Sequence, residues 1–205
     1  ASDVYKRQRK CRAATGKPFG VNVPLMYRYA EQIMQVVMEE RVPAVFTSAG
    51  SPKTWTGQLH AAGCKVAHVV SSTKFALKCQ EAGVDAVVAE GFEAGGHNGR
   101  EETATMALVP QVRAAITIPL IAAGGIASAE QVNALLAMGA AGVSVGTALL
   151  TTAESSACDA HRYYAEFGTA CDTVLTRIYN GRLSRVLRNA LVEALDDWEL
   201  MTAGY

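Results

Sequence analysis

The chain has 205 residues, half of them hydrophobic, with 19 basic residues balanced by 19 acidic ones. A net charge of zero leaves no electrostatic footprint for nucleic acid or for an anionic membrane. No apolar run approaches the roughly 20 residues that span a bilayer, and the N-terminus carries no signal-peptide core, so a cytoplasmic protein is expected. The five cysteines, Cys11, Cys64, Cys79, Cys158 and Cys171, form no C-x-x-C pair and are odd in number. That usage argues for reduced thiols, and no ligand spacing supports a metal site.

Residues 1–16, ASDVYKRQRKCRAATG, are polar, basic and aperiodic. They read as a segment foreign to the fold or as a frayed helix end, and are set aside. A regular alternation begins at Lys17. KPFGVNVPL (17–25) reads as a strand and 29–40 as a helix with Ile33, Val36 and Val37 at helical spacing. Strand 44–50 precedes a helix over 54–62, and strand 65–70 a helix over 73–82, closed by Gly63 and Gly83 respectively. Strand 86–91 is followed by a helix over 109–116, with Pro110 in its first turn. Strand 118–125 leads to a helix over 128–138 that opens on Ser128 and closes on Gly139, and 142–150 is a sixth strand.

Successive strands start 21 to 32 residues apart, the period of a βα unit with short loops. Strands apolar on both faces imply a parallel sheet covered by helices, either open and doubly wound or closed into a barrel. Asn22, Ser48 to Gly50, His68, Glu90 to His97, Gly124 with Gly125, and Gly146 with Thr147 all fall at the C-terminal ends of six successive strands. A doubly wound sheet would decorate only its switch point, whereas a TIM (β/α)8 barrel decorates every strand. The expected architecture is therefore a partial barrel over 17–153, with six of eight strands. A charged, helical segment over 154–205 follows it, in which the spacing of Arg177, Arg182, Arg185 and Arg188 could suggest a phosphate site, but acidic neighbours favour a solvated helix face.

The stretch Asp85 to Gly99, DAVVAEGFEAGGHNG, runs a buried strand straight into a turn with four glycines and one histidine. Gly95 and Gly96 can take positive φ and bring backbone N–H groups to a ligand, and His97 brings an imidazole that can donate or accept a proton; packing is the alternative role. IAAGGIAS (121–128) and SVGTALL (144–150) place glycine loops after the last two strands. In a barrel that is where a phosphate is held by backbone N–H groups and a helix N-terminus. Gly124, Gly125, Ser144, Gly146 and Thr147 are the candidate residues. His68 ends a strand facing the site or sits as a hydrogen-bonded core histidine. Ser48 and Ser71 could line a pocket, and His60 and His161 read as surface residues.

AEGFEAGGHNG, TATMALVPQV, PLIAAGGIAS and SVGTALL together resemble the flavin-dependent family that contains nitronate monooxygenases (2-nitropropane dioxygenases) and FMN-dependent enoyl-acyl-carrier-protein reductases; KPFGVNVPL resembles its third strand. The resemblance covers about Lys17 to Thr152 and implies an FMN-binding TIM barrel. It also implies a fragment, since two initial βα units and a glycine-rich closing segment of the family are not seen. Residue by residue it implies Asn22 beside the flavin, Glu90 and Gly95 with Gly96 along the ring and ribityl chain, and Gly124, Gly125, Ser144, Gly146 and Thr147 toward the phosphate. His97 corresponds to the family's active-site histidine. Glutamate at position 90 is more like the reductases, where many monooxygenases carry glutamine. Monooxygenation of a nitronate with O2 is the favoured activity, NAD(P)H-dependent enoyl reduction the alternative, and an inactive barrel remnant the third. The expected partners are small molecules, neither nucleic acid nor membrane, with a homodimer left open.

Overall fold

The computed structural model describes residues 2–177 and 181–195. Six strands, β1 (Gly20–Pro24), β2 (Ala44–Ser48), β3 (Lys65–Val70), β4 (Ala86–Glu90), β6 (Leu120–Ala123) and β7 (Gly142–Ser144), pair in that order into one parallel sheet. Between β4 and β6 lies the two-residue strand β5 (Gly96–His97), which joins a different sheet. Sequential order without a switch point is the wall of a barrel, as the distribution of polar strand ends implies. Helices α2 (Ala30–Glu39), α3 (Thr56–Ala61), α4 (Thr73–Glu81), α5 (Thr105–Ala115) and α6 (Ala129–Ala137) make the crossovers.

Strand alternation sorts the side chains into two cores. Val23, Val45, Val66, Val70, Val87, Ala89, Leu120 and Ala122 pack against Met34, Val37, Leu59, Leu108, Val109 and Leu135 of the helices. On the opposite face Ala67, Val88 and Ala123 form a small second cluster with Phe46, Val69, Ala86 and Ile121. Register aligns Asn22 with Phe46, and Glu90 with Ala123 and then Ser144, so all three polar residues share this inner face. At the opposite end of the strands Asp85 accepts from Val66 N–H at 2.8 Å, Lys65 Nζ at 2.7 Å and His60 Nε2 at 2.8 Å. Burial would raise this carboxyl, but those donors outweigh it and hold it at about 2.

The chain departs from the sequence reading in four places. First, Ser2–Ala14 is a helix, α1, tied to the C-terminus of α2: Arg9 Nε lies 3.1 Å from the Glu40 carboxylate, and the Arg12 guanidinium donates to the Glu40 and Arg41 carbonyls. Basic side chains there satisfy carbonyls that the helix end leaves open. Second, α5 begins at Thr105, so Pro110 sits in its interior rather than its first turn. The start is fixed from outside, by the Glu93 carboxylate accepting from Thr105 N–H at 2.9 Å and Thr105 Oγ1 at 2.8 Å.

Third, β7 stops at Ser144 instead of continuing to 150, because the backbone folds at Gly146 into a short 3-10 turn over Thr147–Thr151. Fourth, among the described residues after 154 only α7 (Asp159–Phe167) and residues 190–195 are α-helical, with a short 3-10 turn besides. The segment also forms an antiparallel hairpin of β8 (Thr173–Thr176) and β9 (Ser184–Leu187), and β9 pairs in turn with β5. Residues 178–180 and 196–205 of the expected helical segment lie outside the described residues. β-branched residues at 173, 174, 176 and 186 suit a strand better than a helix.

Cys64 and Cys79 are buried thiols, Cys158 and Cys171 are exposed, and Cys11 lies between; all are unbridged. Among the described residues no helix is long and apolar enough to cross a membrane.

His68 is 4% exposed and faces the helix side of the sheet with Val66 and Val70; its Nδ1 is 2.6 Å from Thr47 Oγ1. Burial lowers its pKa to about 4 against the opposing effect of a hydrogen bond with the Gly50 backbone. Between its ordinary 6.5 and that value the unfolded chain binds a proton that the folded chain does not, so stability falls as pH drops through this window. The slope reaches at most about 1.4 kcal/mol per pH unit. Urea midpoints at about pH 7 and pH 5 are expected to separate in the parent and to draw together in His68→Gln; an unchanged separation would assign the acid sensitivity to another group.

Candidate active site

The C-terminal strand ends share one rim, and a cavity of about 490 Å³ opens there. Asn22 from β1, Glu90 from β4 and His97 from β5 all line it, together with Ser48 to Pro52, Val69, Ser71 and Asn98. Ser48 and Ser71, read from the sequence as lining candidates, are both on this wall. Residues at the end of β2 reach it because Ala49 adopts φ 54° and Gly50 packs on Leu25, where a β-carbon would come within 2.7 Å. Glu90 is half-buried on the inner face, and burial pushes its carboxyl up from the ordinary value. A carboxyl biased toward its neutral form repels an anion less than a carboxylate would.

His68 lines the same cavity, although its strand position places it on the helix side. The cavity wraps over the end of β3 and reaches Phe75, Lys78 and Cys79 of α4. Burial in that wall pushes the Cys79 thiol up to about 12, so it is no nucleophile at neutral pH.

The glycine residues form a second, adjoining group that does not line the cavity. Gly124 and Gly125 take φ 103° and 67°, and a β-carbon on Gly124 would lie 2.8 Å from the Gly91 carbonyl oxygen. Gly91 is itself pressed on Thr105, whose hydroxyl donates to the Gly124 carbonyl at 2.9 Å, so the β4 and β6 ends are locked backbone to backbone. A β-carbon on Gly95 would stand 3.4 Å from Thr147 Oγ1, which brings the β4 and β7 loops together. By contrast nothing lies within 4 Å of such an atom on Gly96 or Gly146. Gly95, Gly96, Gly125, Ser144, Gly146 and Thr147 are all exposed on this rim.

The start of α6 is self-contained. Ser128 caps Gln131 N–H at 3.3 Å, while the Gln131 amide oxygen accepts from Ala127 and Ser128 N–H at 2.7 and 3.0 Å. The N-cap expected at Ser128 is present, but the box occupies several of the N–H groups that a phosphate would have used.

Arg185 and Ser184 carried no signal in the sequence that ties them to this site. Ser184 pairs with His97 and Arg185 with Gly96 across β9 and β5, and the Arg185 Nε–H donates to the Phe92 carbonyl at 3.1 Å. Arg185 is thus part of the wall around the histidine turn, not of a solvated helix face. Arg188, in contrast, is exposed and lies 3.7 Å from the exposed Glu193. Among the described residues no cluster of His, Cys, Asp and Glu could hold a metal ion.

Comparison with solved structures places this sheet in a known architecture. FabK from Thermotoga maritima superposes with a TM-score of 0.92 at 38% identity, over 97% of this chain and 63% of that one. A nitroalkane oxidase from Streptomyces ansochromogenes does so with a TM-score of 0.84 at 30% identity, over 94% and 67%. The six-stranded sheet is accordingly the corresponding part of a TIM barrel. A probable nitronate monooxygenase of Staphylococcus aureus is 34% identical over 175 residues, 81% of this chain. The chain spans about half the length of the curated relatives it matches, 49% in that case. The model of the nitronate monooxygenase family matches residues 24–205, and the chain belongs to that family of flavin-dependent oxidoreductases.

Proposed function

We propose that the chain carries the cofactor and substrate site of an FMN-dependent nitronate monooxygenase, which oxidises alkyl nitronates with O2 to carbonyl compounds and nitrite. The observation that carries this reading is the convergence of Asn22, Glu90 and His97 on one cavity beside the two glycine loops. The rim fits FMN: Gly96 and Gly146 leave open space for a ligand to approach the backbone, and Gly124 and Gly125 hold the turn that exposes their N–H groups. Asn22 and Glu90, both on the inner face, would hold the ring, Gly95 and Gly96 its ribityl side, and Ser144 would stand toward the phosphate. Gly124, Gly125, Gly146 and Thr147 would hold the phosphate. When bound, the flavin supplies the electron-accepting and oxygen-activating chemistry.

His97 is the group that meets the substrate. A nitronate is already an anion, so its oxygens need a hydrogen-bond donor or a cation to hold them, and an imidazole on the cavity wall provides one. Burial pushes the Glu90 carboxyl up from its ordinary value, which lowers the cost of an anion beside it. The inner wall of Ala67, Val88 and Ala123 excludes water from the floor beneath.

A second reading, reduction of an enoyl thioester by NAD(P)H, rests on Glu90 itself, since the family's monooxygenases often carry glutamine there. His97 would then donate a proton to the substrate α-carbon. Anaerobic mixing of the oxidised full-length protein with propyl-2-nitronate separates the two. Loss of the oxidised-flavin absorbance without nicotinamide is expected; bleaching by NADH or NADPH alone, with no response to nitronate, would instead select the reductase.

His97→Ala in the full-length protein is expected to lower kcat by roughly 100-fold to 10,000-fold while retaining bound FMN. A loss under about tenfold would return His97 to a packing role. Gly146→Val, at a position where a side chain meets nothing in the fold, is expected to leave the melting temperature near that of the parent and to reduce the FMN released on denaturation. Full flavin content in that variant would remove the β7 loop from the phosphate site.

A further inference from the structure

The histidine turn is poorly held by its own sequence. Gly95, Gly96 and Gly99 flank His97 and Asn98, and a glycine-rich backbone has the most conformational freedom to lose on ordering. His97 is nevertheless fixed on the cavity wall, and the fixing groups come from the C-terminal hairpin. β9 lies antiparallel to β5, with Gly96 opposite Arg185 and His97 opposite Ser184, and Asn98 N–H donates to the Leu183 carbonyl at 3.0 Å. Leu183 and Ser184 are 8% and 5% exposed, so this strand is inserted into the fold rather than laid on it.

Arg185 ties the other end of the same turn. Its Nε–H donates to the Phe92 carbonyl at 3.1 Å, its Nη1 to Thr173 Oγ1 at 3.1 Å, and its guanidinium carbon stands 5.3 Å from the centre of the Phe92 ring. Asn98 Nδ2 donates to that same Phe92 carbonyl at 3.0 Å and to Ala94 at 3.1 Å. The entry to the turn at Phe92 and its exit at Asn98 are thereby joined to each other and to β9. A planar guanidinium with several fixed donors makes this connection where a flexible ammonium would not.

We propose that Arg185 is a positioning residue for His97, acting from the β8–β9 hairpin through Phe92 and the paired strand β5. The proposal rests on the catalytic role given to His97 above. Removing the guanidinium takes away the tie between the Phe92 end of the turn and β9, leaving only the Asn98 Nδ2 and Thr103 hydrogen bonds to hold Phe92, and the imidazole then samples positions away from the substrate. A displacement of about 1 Å at a reacting group can cost on the order of 100-fold in rate. A merely structural arginine would lower stability or flavin retention and would cost the same factor whether or not an imidazole were present.

The test is a double-mutant cycle in the full-length flavoprotein, with turnover read on propyl-2-nitronate, or on NADPH and a crotonyl thioester should that pair be the active one. Arg185→Met keeps the apolar stem and removes the donors. It is expected to lower kcat by about tenfold to 100-fold with FMN content retained, and to change kcat less than twofold in the His97→Ala background, where nothing remains to be positioned. Should Arg185→Met fail to fold, Arg185→Lys, which keeps the charge but not the fork of donors, is read in the same cycle with the same expectation. An equal loss in both backgrounds, or a kcat within twofold of the parent in the single variant, overturns the positioning role while leaving His97 in place. Near-normal turnover in His97→Ala alone overturns the catalytic role and this proposal with it.

Discussion

Parallel pairing of successive strands is the constraint from which the rest of the structure follows. Each strand must be re-entered from the same end, so every crossover helix lies on one side and every C-terminal end opens on one rim. The period of two along each strand then divides the residues. Valine and leucine meet the helices, while alanine, a few larger apolar groups and the polar pair Asn22 and Glu90 face the other way. A slip of one residue would press Glu90 into the helix layer and turn Val87 and Ala89 inward, so burial of the valine set also fixes the orientation of the site.

Much of this was legible from residue order alone, because apolar runs, glycine stops and the spacing of βα units are local signals. Six parallel strands and five crossover helices appear in the expected order, although β7 ends early at Ser144 and α5 starts early at Thr105, and Gly63, Gly83 and Gly139 close their helices at positive φ. The misreadings share a cause in contacts distant along the chain. The start of α5 depends on Glu93, twelve residues upstream, and the fate of Thr173–Leu187 depends on a partner strand that is only two residues long. A charged stretch without apolar periodicity looks like a solvated helix until a paired edge is supplied to it.

The site divides the same way. Glu90 and His97 lie on one cavity because they end a strand and the turn after it, and Asn22 joins them from the inner face of β1; those positions can be counted off the sequence. The face of His68 was also readable: it shares its parity with Val66 and Val70, which marks it for the helix side even though it sits near a strand end. Ser128 marked the helix start, but not that Gln131 would complete a capping box and use N–H groups otherwise open to an anion. Arg185 could not be found locally, since its partner Phe92 is 93 residues away.

That separation carries a further consequence for how the molecule comes together. Pairs within the parallel sheet close loops of one βα unit, whereas the β5–β9 pair closes a loop several units long, with a larger entropy of closure and few residues to repay it. The barrel wall therefore assembles from near neighbours first, and the histidine turn acquires its final shape only when the hairpin docks. On the way back, this two-residue antiparallel pairing has little to hold it, so the rim around His97 can loosen while the sheet below it stays closed.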